Sequence, residues 1–331
     1  MRYLVLVLMM GFFSVKAQQS EADKFIRQGQ ALFGHELYQD AINKYKQAIA
    51  FDKKCVEAHY ELAYTYLTIK DYDEALFYSR NVLGEKSDYW LDALLIYGAV
   101  LNNKGNIKGA IREYNKALKK YPDEYLLYYN IAESYQRINE DEKAEDALLK
   151  ALRLNNNHIP SHLLLSSIMK SRGEVLKSML PLYYCLLIEV DEEKKSTLLD
   201  DLQVRWHVAM VQKPAFAAPV SKHARVSGLK VAESKLNAIA REAVVNNPDE
   251  PYTLINQTLA LFSMLNEEQT GEMDFFDIQY VDFFNQLYVA GHAQAYAYFI
   301  CNAKYSTEVL LWLNDNQSQF SAFINWMELQ Q

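Results

Sequence analysis

The sequence predicts an all-α fold: an array of stacked helical hairpins followed by a further α-helical region. Three observations predict it. A pattern of small residues returns every 34 or 35 positions through the first half. Only 11 Gly and 7 Pro occur in 331 residues, too few for the many tight turns of an all-β protein. Half the residues are apolar and 23% are charged, the balance of a globular chain and not of a disordered one.

The first segment is Arg2, an apolar run from Tyr3 to Phe13, then Ser14-Val15-Lys16-Ala17. One positive charge, a short apolar run and small residues before Gln18 make a cleavable secretory signal peptide over residues 1–17. The run is short for a bilayer span, and no Cys follows it for a lipid anchor. The expectation is an exported chain, periplasmic or extracellular, that is not an integral membrane protein. Cys55, Cys185 and Cys301 are odd in number and far apart, which does not indicate a disulfide-dependent fold despite export. They are expected as small buried residues.

The repeat is anchored on Ala41, Ala75, Ala110 and Ala144. Twelve residues before each stands another small residue: Gly29, Ala63, Gly98, Ala132. Nine before each is a large apolar one: Leu32, Tyr66, Leu101, Tyr135. Seven after each is Ala48, Val82, Ala117 or Ala151. A weaker fifth copy carries Ser166, Met169, Gly173, Ser178 and Cys185 at matching places. Two small residues on facing helices let backbones approach, while the large ones fill the space beside them. Lys70-Asp71, Lys104-Gly105 and Asn139-Glu140 read as the turns between paired helices, and Pro122 and Pro160 as stops or starts between repeats.

This pattern resembles the tetratricopeptide repeat (TPR) family over about residues 22–190. The clearest copy runs from Val56 to Leu76, with Ala63, Tyr66, Lys70-Asp71, Tyr72 and Ala75 in the family's order of small, aromatic, turn, aromatic and alanine. The resemblance implies a right-handed solenoid of about five hairpins over residues 18–190. Three copies depart from it, with His59, Leu94 and His162 where an aromatic is usual. Pro181 falls inside the second helix of the fifth copy, so a kink or a shortened helix is expected there.

Residues 191–212 continue as helix, with Leu198, Leu202 and Trp206 spaced to cover the end of a solenoid as a cap. Residues 213–226, with two prolines and no periodicity, read as a linker. Residues 227–331 read as a helical C-terminal domain. Its helices are expected at 229–246, 252–265, 275–289, 292–303, 307–314 and 317–328, and Gly291 is the turn of a hairpin whose register does not fit the repeat. The aromatic load here suits a compact core, or alternatively a hydrophobic docking face.

No Gly-rich phosphate loop, Gly-x-Ser-x-Gly, His-Glu-x-x-His or Cys-x-x-Cys occurs. His158 and His162 have Pro160 between them and no marked third ligand, so no metal and no cofactor is expected. The net charge of −8 argues against a dedicated nucleic-acid binder. Some members of the resembled family clamp a peptide carboxylate with cationic first-helix residues. The matching places here are Ile26, Gln30, Glu61, Asp92 and Ile96, none of them cationic, so that clamp is absent.

The other face of the first helices is expected to meet a partner. It carries Ile26, Gln30 and Phe33 in the first copy, Tyr60, Tyr64 and Leu67 in the second, Leu95, Ala99 and Asn102 in the third, and Tyr129, Glu133 and Gln136 in the fourth. The reading is an exported, non-enzymatic scaffold that holds a partner protein or peptide in the concave face of the array. The alternatives are an enzyme whose site lies in residues 227–331 and a receptor for a small molecule or glycan.

Overall fold

The computed structural model describes residues 21–211, 228–246, 249–267 and 273–330, and among these all regular structure is helical. The signal peptide expected over residues 1–17 and the linker expected over 213–226 lie outside the described residues. No helix among them is long and apolar enough to cross a membrane. The chain divides into two compact units, Met1–Leu154 and Asn155–Gln331.

The first unit contains α1 (21–34), α2 (Tyr38–Phe51), α3 (Val56–Thr68), α4 (Tyr72–Leu83), α5 (Trp90–Asn103), α6 (Ile107–Leu118), α7 (Tyr125–Gln136) and α8 (Asp141–Leu154). The 34-residue beat is visible in the backbone. Glu36, Lys70, Gly105 and Asn139 all have positive φ, each five residues before an anchor alanine. The next amide closes each turn by bonding back across it, as in Asp71 N to Tyr66 O at 2.8 Å and Asn106 N to Leu101 O at 2.8 Å. This left-handed stop satisfies carbonyls at the helix end and aims the chain into the partner helix. Asp71 and Asn106 then cap α4 and α6 by accepting from the Glu74 and Gly109 amides.

The small positions pack as the spacing predicts. Ala41, Ala75, Ala110, Ala144, Ala63 and Ala132 are wholly buried. A Cβ on Gly29 would overlap the Tyr45 ring, and one on Gly98 would overlap the Tyr114 ring. Both tyrosines are buried, four residues past the anchor alanine. Where the first-helix position is Ala63 or Ala132, the residue four past the anchor is Ser79 or Leu148 instead. Glycine on one helix thus leaves the volume that tyrosine on the other fills.

The second unit contains α9 (Ile159–Ser171), α10 (Val175–Ile188), α11 (Glu192–Val211), α12 (Gly228–Asn246), α13 (Tyr252–Glu267), a π-helical turn (Asp277–Val281), α14 (Asp282–Val289), α15 (Ala293–Cys301), α16 (Ser306–Asp315) and α17 (Gln317–Glu328). The fifth copy is the α9/α10 hairpin, turned at Gly173 with φ +76°. Of the two outcomes expected at Pro181, the shortened helix does not occur, since the second helix runs to Ile188.

All of α10 except Lys177 and Ile188 is buried, because it is packed by α9, α11, α12, α15 and the π turn. Its Tyr183 hydroxyl accepts from Trp206 Nε1 at 2.9 Å and lies 3.0 Å from Thr258 Oγ1, while the Tyr296 hydroxyl donates to the Tyr183 carbonyl at 2.6 Å. Cys185 and Cys301 are buried free thiols, and Cys55 is a half-buried one. Burial pushes the Cys185 and Cys301 pKa values up.

Candidate functional site

The face named by sequence is built from α1, α3, α5 and α7, the first helices of successive hairpins. On α3, Glu57, Tyr60, Glu61 and Tyr64 fall at i, i+3, i+4 and i+7, one stripe of the helix. The small positions behind them are committed to α4, so this stripe is left outward.

Five rings make a continuous chain along it. Tyr38 meets Phe33 at 5.3 Å between centroids, Phe33 meets Tyr64 at 5.3 Å, Tyr64 meets Tyr60 at 6.5 Å, and Tyr60 meets Tyr89 at 5.1 Å. Tyr64 is 42% exposed, a large value for a ring held between two others. Phe33, Tyr60, Leu67, Leu95 and Tyr129 are half-buried, and Gln136 is exposed. Glu133 on α7 is already engaged by Arg137 at 3.1 Å.

Carboxylates border the rings. Glu61 Oε1 accepts from Gln30 Nε2 at 2.6 Å, and Glu61 Oε2 accepts from the Tyr45 hydroxyl at 3.4 Å. Burial raises the Glu61 pKa, and the neighbouring Glu57 adds to the rise. Burial also raises Asp92. The Tyr60 phenol is pushed up to about 12 by burial and then by the charges of Asp92 and Glu61. The Tyr89 phenol is pushed up to about 12 by burial and by Glu57, to which it is hydrogen-bonded.

Two residues expected on this face are elsewhere. Asn102 is 4% exposed, and its Nδ2 donates to Ser134 Oγ at 2.9 Å. It ties α5 to α7 inside the array and cannot meet a partner. A buried amide needs a polar neighbour, and the small hydroxyl of Ser134 on the next first helix supplies one. Ile26 is 2% exposed, in the same core cluster as Ile42, Tyr45 and Leu62. Sequence reasoning missed Tyr38, Tyr89 and the role of Glu57. Tyr38 opens a second helix and Tyr89 precedes a first helix, so neither occupies a first-helix repeat position. The signal that could have found them is aromatic residues at the ends of a stripe that already carries three.

A concavity lies within the C-terminal unit. It is a cleft of about 600 Å³ lined by Asn156, Asn157, Gln279, Gln286, Asp282, Tyr184 and Phe283, among others. The π-helical turn forms part of its wall, and such turns are frequent at functional positions. His158 and His162 are not a metal pair. His162 is fully buried, with Nδ1 2.6 Å from the Tyr280 hydroxyl and Nε2 2.7 Å from the Asn156 carbonyl. Burial lowers its pKa to about 4. Glu233, raised to about 7 by burial, accepts from the Leu176 amide at 2.8 Å and so caps α10.

Residues 26–81 and 101–159 match the tetratricopeptide repeat family model. Anaphase-promoting complex subunit 7 of Mus musculus is 25% identical over 210 residues, covering 63% of this chain and 32% of that protein. The same subunit of Homo sapiens matches equally. The chain therefore spans about a third of the length of the curated relatives it matches. Among solved structures, a thermophilic TPR protein from Thermus thermophilus has a TM-score of 0.48 at 19% identity, covering 56% of this chain and 98% of that one. The pilF protein of Pseudomonas aeruginosa has a TM-score of 0.45 at 18% identity, covering 58% and 91%. The match to the tetratricopeptide repeat model lies in the N-terminal half of the chain.

Proposed function

We propose that the protein is an exported, non-enzymatic scaffold whose repeat array holds a segment of a partner protein across α1, α3 and α5. The observation that carries this is the unbroken ring chain from Tyr38 to Tyr89, with Tyr64 left 42% exposed at its centre. Tyrosine presents a large contact area, a hydroxyl and few rotors to freeze, which is why interfaces favour it. Export rests on the apolar run and the Ser14-Val15-Lys16-Ala17 segment, and N-terminal sequencing of the envelope fraction should begin at Gln18.

Site-specific photo-crosslinking tests the docking face. A photoreactive side chain at Leu67 or Leu95 should trap the partner, and one at Phe77, 57% exposed on second helix α4, should not. Tyr64→Ala should weaken capture by about thirtyfold, the value of a central anchor, with the melting temperature nearly unchanged. Equal trapping at Phe77, or full capture by a folded Tyr60→Ala/Tyr64→Ala variant, would move the interface off this face.

A second reading concerns the C-terminal cleft. Its amide lining offers donors and acceptors together, as a neutral hydroxyl-rich ligand requires. Glycan binding that is lost in Gln279→Ala and retained in Tyr64→Ala would favour it.

A further inference from the structure

The docking face has a charge character that its family resemblance does not supply. Glu57, Glu61 and Asp92 border the rings, and among the described residues none of the three has an ion-pair partner. The charges of Asp92 and Glu61 bear on Tyr60, and that of Glu57 bears on Glu61. The next first helix differs: its Glu133 is already neutralised by Arg137. Among the described residues, the carboxylates on α3 and α5 therefore stand without an ion-pair partner beside a half-buried aromatic surface.

We propose that this face takes a basic segment of the partner protein, with an arginine or lysine stem lying on Tyr60 and Tyr64 and its cation meeting Glu61 and Asp92. The inference rests on the reading that the ring chain is the docking face, and it adds the chemistry of the occupant. Long basic side chains lay their methylenes on apolar surface while keeping the charged end among acceptors. Tyrosine rings attract a cation further through their quadrupole. Glu61 is pre-positioned for this by two donors, Gln30 and Tyr45, which hold both of its oxygens. A cation arriving there replaces water beside a carboxylate whose charge burial already penalises, so complementarity also sets selection against acidic segments.

Fluorescence anisotropy with three short end-blocked peptides tests this on the full mature chain. The peptides alternate leucine with arginine, with glutamine or with glutamate, and are otherwise alike. The arginine peptide should bind most tightly and the glutamate peptide least. Glu61→Gln/Asp92→Asn should weaken the arginine peptide by about tenfold or more and leave the glutamine peptide unchanged. A control that removes two charges elsewhere, Glu142→Gln/Glu328→Gln, should leave all three affinities as they are. Tyr60→Ala/Tyr64→Ala should weaken both the arginine and the glutamine peptides.

Equal binding of the arginine and glutamine peptides, both lost in the tyrosine variant, overturns the basic-segment inference and leaves the docking face standing. An arginine preference that is lost equally in the control variant overturns it as a general charge effect. Arginine-peptide binding indifferent to the tyrosine variant overturns the inference and the docking face together.

Discussion

The α5/α6 hairpin and the α14/α15 hairpin turn alike and pack differently. Gly105 and Gly291 have φ +80° and +78°. In each, the following amide bonds back across the turn, Asn106 N to Leu101 O at 2.8 Å and His292 N to Leu287 O at 3.0 Å. Seven residues before and five after the glycine stand Gly98 and Ala110 in the first hairpin, and Phe284 and Tyr296 in the second. The first pair lets two helices close on one another over the Tyr114 ring. The second pair fills that space with two rings, 6.0 Å apart, which pack on Tyr183 and Phe262 of other helices. A local turn motif therefore sets the reversal of the chain, and the residues behind it decide whether the hairpin stacks as a repeat or serves a shared core. Stacked repeats interact with neighbours only, whereas a ring cluster draws on several elements at once.

That difference can be broken at its centre. Phe284→Ala should cost the C-terminal unit about 3–5 kcal/mol, because it empties a fully buried ring site contacted from several helices. Chemical denaturation measures the loss. A cost below about 1 kcal/mol would mean that the hairpin is held as the repeats are.

The second comparison is in pH. The first unit has no fully buried histidine among its described residues, while the second has His162. Its folded pKa, about 4, lies below the unfolded value of about 6.5. The unfolded chain then takes up a proton before the folded one does. Stability is full above about pH 6.5, falls as pH drops, and levels off below about 4, with a total loss on the order of 3 kcal/mol. Glu233 acts in the opposite sense. Its folded pKa, about 7, lies above its unfolded value, so its contribution rises as pH falls from about 7 towards 4.5. His162→Gln should therefore leave a unit whose stability increases on mild acidification, and Glu233→Gln should deepen the acid loss. Urea midpoints at a series of pH values read both, and parallel profiles for the two variants would overturn the assignment.

The smallest effect sharpens the repeat side. Gly98→Ala should cost about 1–3 kcal/mol, since a methyl there overlaps Tyr114. Gly98→Ala combined with Tyr114→Leu should recover much of that, because it reproduces the Ala132 and Leu148 pair of the next copy. A double-mutant cycle on thermal unfolding gives the coupling, and strict additivity would show that the two positions do not share one volume.

The candidate face was half legible. Phe33, Tyr60 and Tyr64 follow from counting along α1 and α3, and the structure brings all three into ring contact. Asn102 follows from the same count and is buried. Periodicity reports which side of a helix a residue occupies, and the neighbouring helix decides whether that side is covered. Ser134 of the next repeat covers it there. Tyr89 was illegible for a related reason: its value comes from leaning back on Tyr60 of the preceding repeat, a relation with no fixed spacing.

By itself the sequence determined the helices, the hairpin turns and the phase of the repeat. These depend on local backbone preferences and on small residues placed at a constant interval, and both are written in the order of residues. Only the tertiary structure decided what the fifth hairpin packs against. The fifth hairpin has the repeat's turn at Gly173, yet it belongs with the C-terminal half. Its Tyr183, Ser166 and His162 are bonded to Trp206, Arg205 and Tyr280, residues 23, 39 and 118 positions away. Buried polar groups must find partners wherever the chain brings them. Pairings at such separations leave no periodic trace in a sequence, and so the same hairpin pattern that continues the array on paper becomes, once folded, the core of the second unit.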